Sequence, residues 1–119
     1  VSNKISEHFL RAEFACRCGC GQDTVDAELI TILENLRKTL GGSITIHSGN
    51  RCEAYNKKID GAKNSQHVRG RAADIGVEGF SPRQVQDAFD RMYPDKYGMG
   101  RYDSFTHVDS RYVKARWGE

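Results

Sequence analysis

The sequence predicts an α+β domain in which helices pack on a small, mainly antiparallel sheet. Three observations predict it. Apolar residues recur at helical spacing in some segments and at alternate positions in others; these segments follow the order helix, strand, helix, strand, helix, strand, strand; and the connections between them are short. With 119 residues and 38% hydrophobic content, the chain is long enough to bury a core without crosslinks, so a single domain over residues 1–119 is expected.

Residues 1–22 read as an N-terminal arm, with Phe9 and Phe14 as apolar anchors and Gly19 and Gly21 punctuating a turn among cysteines. Over 25–40, Val25, Leu29, Ile32, Leu33, Leu36 and Leu40 recur at three- and four-residue steps. This predicts a helix capped by Asp23 or Thr24 and stopped by Gly41-Gly42. Residues 43–47 alternate Ile44 and Ile46 with polar neighbours, a short strand leading into Ser48-Gly49-Asn50-Arg51. A short helix over 53–59 and a polar connection over 61–66 deliver His67. Residues 72–77 form a small-residue strand carrying Asp74, and Gly70 before it permits close backbone approach. Ser81-Pro82 starts a helix whose buried stripe is Val85, Ala88, Phe89 and Met92, ending before Pro94. Residues 97–102 and 105–113 read as two neighbouring strands joined by a turn at Asp103-Ser104.

The net charge of +2 comes from 18 basic and 16 acidic residues, which lacks the strongly basic footprint of a nucleic-acid binder. No apolar run approaches the ~18 residues of a membrane span, so no membrane insertion is expected, and the first residues are too polar for a signal peptide. A monomer is expected at this size. Cys16, Cys18, Cys20 and Cys52 allow three disulfide pairings. A bridge from the cluster to Cys52, free thiols and a four-cysteine metal knot all remain open, the knot disfavoured because a Cys-x-Cys step is tighter than usual zinc spacing.

The chemistry concentrates in Ser65-Gln66-His67-Val68-Arg69-Gly70-Arg71-Ala72-Ala73-Asp74 and in Phe105-Thr106-His107-Val108-Asp109. Two imidazoles and one carboxylate are what a hydrolytic zinc site uses when it keeps a fourth position for water. Gly70, Ala72 and Ala73 leave little bulk between His67 and Asp74, which lets a loop histidine and a strand aspartate approach one centre. His47 lacks any such context and reads as structural.

These residues resemble the zinc D-Ala-D-Ala carboxypeptidase family, peptidase family M15. Ser-x-His-x-x-Gly-x-Ala-x-Asp followed by a distal His-x-Asp carries the likeness. Ser48-Gly49-Asn50-Arg51-Cys52, Tyr55-Asn56, 61–65 and Glu13-Phe14-Ala15-Cys16 extend it over roughly residues 6–111. The resemblance implies that His67, Asp74 and His107 bind zinc and that Arg51 grips the substrate's terminal carboxylate, for which a guanidinium fork is suited. It also implies a substrate contact for Ser65, whose hydroxyl has loop capping as its other role. The substrate would be the peptidoglycan stem peptide of the bacterial cell wall.

The general base departs from the family's pattern. An acidic residue usually stands three positions before the last histidine, and here that position is Ser104. Asp103, one further back, is the first expectation, either because extended residues 103–109 would put odd-numbered side chains on one face or because a turn or bulge at Ser104 would swing it into the family position. Asp109 is the second, as base or as the carboxylate that fixes an imidazole. The activity implied is a D,D-carboxypeptidase; the alternatives are a phage-type endopeptidase cutting an L-Ala-D-Glu bond, and a non-catalytic zinc module like the similar signalling domain of hedgehog proteins.

Overall fold

A computed structural model describes residues 4–118. The elements run as a 3-10 turn (Arg11–Phe14), α1 (Ala27–Leu40), β1 (Ile44–Ser48), α2 (Glu53–Lys58), β2 (Ala72–Val77), α3 (Pro82–Met92), β3 (Lys96–Arg101), β4 (Thr106–Val113) and β5 (Ala115–Gly118). The five strands form one mixed sheet in the order β1-β2-β4-β3-β5, every pair antiparallel except β3 with β5. The α+β class expected from the sequence is the class observed.

Local chemistry explains most boundaries. Ser81 and Gln84 exchange reciprocal hydrogen bonds at the start of α3, with Pro82 at its first position. Gly41 ends α1 in the left-handed conformation at φ 78°. The start of α1 differs from expectation, because Asp26 occupies the cap position rather than Asp23 or Thr24. Thr24 is instead held extended by its N–H donating to Asn50 Oδ1 at 2.9 Å, and Asp26 N–H donates to Gly70 O at 2.8 Å. Asp26's carboxylate caps nothing; it accepts from Ser110 Oγ at 2.7 Å.

Leu29, Ile32, Leu33 and Leu36 of α1 and Val85, Ala88 and Phe89 of α3 pack on the sheet face carrying Ile44, Ile46, Ala73, Ile75, Val77, Met99 and Val108. Phe9 and Phe14 of the arm join the same core, meeting edge to face with centroids 5.9 Å apart. Burying a phenylalanine contributes about 1.5–3 kcal/mol, so two of them hold the arm against the domain. Because strand side chains alternate, the opposite sheet face receives Asp74, His107 and Asp109. No described helix is long and apolar enough to cross a membrane.

Strand β5 was not expected, since four residues, Ala-Arg-Trp-Gly, are too few to show alternation. It lies parallel to β3, with Met99 opposite Arg116 and Gly100 opposite Trp117.

Candidate metal centre

Antiparallel pairing of β2 with β4 sets Asp74 directly opposite His107. His67 reaches the same point from the loop before β2. That loop is locked by its own backbone: His67 N–H donates to Ser65 Oγ at 3.1 Å, and His67 O accepts from Arg51 N–H at 3.0 Å and Asn50 Nδ2 at 2.9 Å. Gly70 turns the chain toward β2 at φ 73°, where a Cβ would lie 2.6 Å from Thr24 O, so the motif glycine answers both to dihedral and to space.

His67 Nε2 and His107 Nδ1 each lie 3.1 Å from Asp74 Oδ1, and the three ligand atoms fall within 4.8 Å of one another. The outer ring nitrogens fix the tautomers. His67 Nδ1 sits 2.8 Å from Gly49 O, which only accepts, so Nδ1 carries the proton. His107 Nε2 sits 2.8 Å from Asp109 Oδ2 and donates to it. In their neutral forms both imidazoles therefore turn lone pairs toward Asp74, and three acceptors converge with no proton among them. Such a set is stable only around positive charge.

The electrostatics agree. Burial alone would raise the pKa of Asp74, but the imidazoles of His107 and His67 outweigh it and hold its carboxyl well below the usual carboxylate range. Burial likewise works to lower the pKa of His107, yet Asp109 and Asp74 raise it above the ordinary imidazole value. A proton fills the gap when nothing else does; a divalent cation suits it better, and these residues fit one.

The Ser48-Gly49-Asn50-Arg51 segment supports this centre residue by residue. Gly49 lies so close to the arm that a Cβ would stand 2.7 Å from Phe14 Cα. Asn50 joins three segments, donating from its backbone to Phe14 O, accepting from Thr24 and donating from its side chain to His67 O. Arg51 donates from Nε to Ser48 Oγ at 3.2 Å, from one terminal nitrogen to Asn56 Oδ1 at 3.2 Å, and from the other to Asp74 Oδ2 at 3.3 Å. Arg51 thus orients the carboxylate oxygen that faces away from the imidazoles.

On the far side, Asp109 is 0% exposed and is clamped by Arg111 through Nε to Oδ1 at 2.8 Å and a terminal nitrogen to Oδ2 at 2.7 Å. Burial pushes its pKa up, but His107 and Arg111 hold it well below the carboxylate range. Both oxygens of Asp109 are thus engaged, Oδ2 by His107 and both by Arg111, so neither is free toward the cavity. Asp103 needs a correction. It stands exposed in the turn between β3 and β4 and lines a separate cavity with Ser81, Pro82, Arg83, Gln86 and Asp87. Residues 102–105 are not extended, so the alternation that pairs His107 with Asp109 does not reach back to residue 103, and the turn at Ser104 does not carry Asp103 into the cavity that His107 lines.

The centre opens on a cavity of about 480 Å³. His67, Asp74, His107, Arg51 and Ser65 line it together with Asp60, Tyr102, Phe105, Arg111 and Trp117. Sequence reasoning passed over the last five. Trp117 donates from Nε1 to the Tyr102 hydroxyl at 3.0 Å, its ring lies 5.0 Å from that of His107, and Arg111 lies over it. One signal was in plain sight, the Gly98-Met99-Gly100 alternation. A Cβ on Gly98 would fall 2.3 Å from Asp109 Oδ1, and one on Gly100 2.5 Å from Trp117 Nε1. Both glycines keep β3 bare so that these side chains fit. His47 is exposed, and it is not among the residues that could hold the ion.

The family model described as Peptidase M15 matches residues 7–109 of the chain. No curated protein matches it.

Proposed function

The chain belongs to peptidase family M15, and from that premise we propose that it is a zinc-dependent peptidase of peptidoglycan stem peptides, acting first as a D-Ala-D-Ala carboxypeptidase. The observation that carries this reading is the convergence of His67 Nε2, Asp74 Oδ1 and His107 Nδ1 on one point in the wall of a cavity. Zinc held by those atoms supplies a Lewis acid for the scissile carbonyl and an activated water at neutral pH.

The chain's own residues do the rest. Arg51 uses three of its N–H donors on Ser48, Asn56 and Asp74, and the remainder are available to a substrate carboxylate in the cavity. Arg111, paired with Asp109, adds positive charge to the same wall, while Tyr102, Phe105 and Trp117 offer apolar faces to the peptide. Besides Asp74, the carboxylate lining the cavity is Asp60, exposed after α2. We assign it the role of proton acceptor for the attacking water and donor to the leaving amine. Ser65 hydrogen-bonds His67's backbone and positions the ligand loop in addition to any substrate contact.

A second reading, an endopeptidase on the same stem, is favoured by one observation: Arg51 already holds Asp74, so its grip on a terminal carboxylate is shared. Mass spectrometry of a muropeptide pentapeptide incubated with zinc-loaded protein separates the two, with His107→Ala as control. Loss of a single alanine that the control abolishes is the expected result, and an internal cut would replace the carboxypeptidase with the endopeptidase. If no stem is cut despite stoichiometric zinc, the peptidase reading fails and the domain is a zinc-binding module. Asp60→Asn should lower kcat by about 10²–10⁴-fold with zinc retained, and unaltered turnover would remove the base assignment.

A further inference from the structure

We propose that Cys16, Cys18, Cys20 and Cys52 form a second, structural metal site that takes zinc or a metal of similar thiolate preference. The four sulfurs lie within 4.8 Å of one another. The separations are 3.4 Å for Cys16 to Cys18, 3.8 Å for Cys16 to Cys52 and 3.7 Å for Cys18 to Cys52. A disulfide requires about 2.05 Å, and all four cysteines are free. Four sulfurs at about 2.3 Å around a tetrahedral zinc stand about 3.8 Å apart, close to the 3.4–3.8 Å among Cys16, Cys18 and Cys52, with Cys20 inside the same 4.8 Å.

The tight Cys-x-Cys steps made this knot look implausible from spacing alone. The backbone removes the objection. Gly19, between Cys18 and Cys20, and Gly21, just after Cys20, take left-handed conformations at φ 84° and 90° and turn the chain there. Cys16 N–H donates to Gln22 O at 2.7 Å and Gly19 N–H to Cys16 O at 3.2 Å, so the loop closes on itself while three thiols turn toward Cys52. Backbone donors also address the sulfurs, Cys52 N–H to Cys16 Sγ and Tyr55 N–H to Cys52 Sγ, each at 3.4 Å. Such bonds offset the negative charge that four thiolates leave on a divalent ion.

Four sulfurs complete the tetrahedron and leave no position for water, so the site is structural and not hydrolytic. Its place in the fold gives it a task. Cys52 caps α2 and follows Arg51, and Cys16 lies two residues after Phe14, whose carbonyl receives Asn50 N–H. The metal would therefore staple the arm to the segment that holds Arg51 and, through Gly49 O, His67.

Metal content and cobalt spectroscopy of the whole chain test the proposal. The parent protein, purified without chelator, should carry about two zinc equivalents, one for each site. Cobalt-loaded His107→Ala should keep the near-ultraviolet thiolate-to-cobalt charge-transfer band, and the Cys18→Ser/Cys20→Ser variant should lose it. Both substituted cysteines are exposed, so their replacement removes no core packing. A parent chain whose cobalt form lacks the band, or whose intact mass reveals disulfides as isolated, would overturn the site. Neither result bears on the peptidase reading, which the His67, Asp74 and His107 centre carries by itself.

Discussion

Both faces of the sheet hold fully buried residues, and the two are chemically opposite. On one, Ile75, Met99 and Val108 are 0% exposed and meet the helices; on the other, Asp109 is also 0% exposed, yet it is charged and fully partnered. The residues alternate along the same strands, as in His107-Val108-Asp109 and Gly98-Met99-Gly100. The apolar face is held by contact area, which tolerates approximate shape, whereas the polar face is held by directed pairs, each of which fixes the next. Burial alone therefore says little about role; what a buried group touches decides whether it stabilises the fold or the chemistry.

Substitutions on the neighbouring strands β3 and β4 should separate the faces. Met99→Ala, on the helix side, is expected to lower unfolding stability by about 2–5 kcal/mol through lost contacts and a cavity. Metal affinity at the histidine centre should stay within a few-fold, read by chelator competition. A large parallel loss of affinity would mean that the faces are mechanically coupled. Asp109→Asn, on the polar side, should show the reverse: zinc affinity at that centre falls by about 10–100-fold because His107 loses its anionic partner. Trp117 is the sole tryptophan and lies against His107, so its fluorescence reports metal at this centre. Unchanged affinity in Asp109→Asn would show that Arg111 and Trp117 orient the imidazole without the carboxylate's charge.

The apolar face was legible because periodicity repeats: Leu29, Ile32, Leu33, Leu36 and Leu40 in α1 and the alternation in β1 each restate the same pattern. The ligands were legible for another reason, since His67, Asp74 and His107 are chemically distinctive residues spaced by small ones. Single-point features were not. Asp103 was drawn toward the centre by an extension that the 102–105 turn interrupts, and Thr24 looked like a cap until Asn50 claimed its N–H. Trp117 reaches His107 only through the parallel pairing of β5 with β3, a long-range register that no local pattern announces. The cysteine spacing was read without the left-handed turns at Gly19 and Gly21, which no spacing rule announces.

β5 places one side chain on each face, and there the comparison meets its smallest test. Trp117 lies against His107 on the polar side, while Arg116 turns to the helices, donating to Asp90 Oδ1 at 2.8 Å and Tyr97 O at 2.7 Å and lying over Phe89. The hydrogen bond from Arg116 holds the Asp90 carboxyl below its usual value, with burial opposing and the guanidinium charge assisting. A depressed carboxylate pKa contributes stability in full above the unfolded value near ~3.9 and loses it as pH falls through the folded value. Asp90 is 45% exposed, so solvent screening limits the pair to about 0.2–1 kcal/mol. Asp90→Asn should therefore destabilise slightly at pH 7, with the difference from the parent shrinking in high salt and closing as pH falls through the folded value. If the deficit persisted in acid, the contribution would lie in hydrogen bonding and packing of the side chain and not in its charge. If Trp117 fluorescence shifted together with it, the helix-side anchor of β5 would also set the cavity wall on the other face.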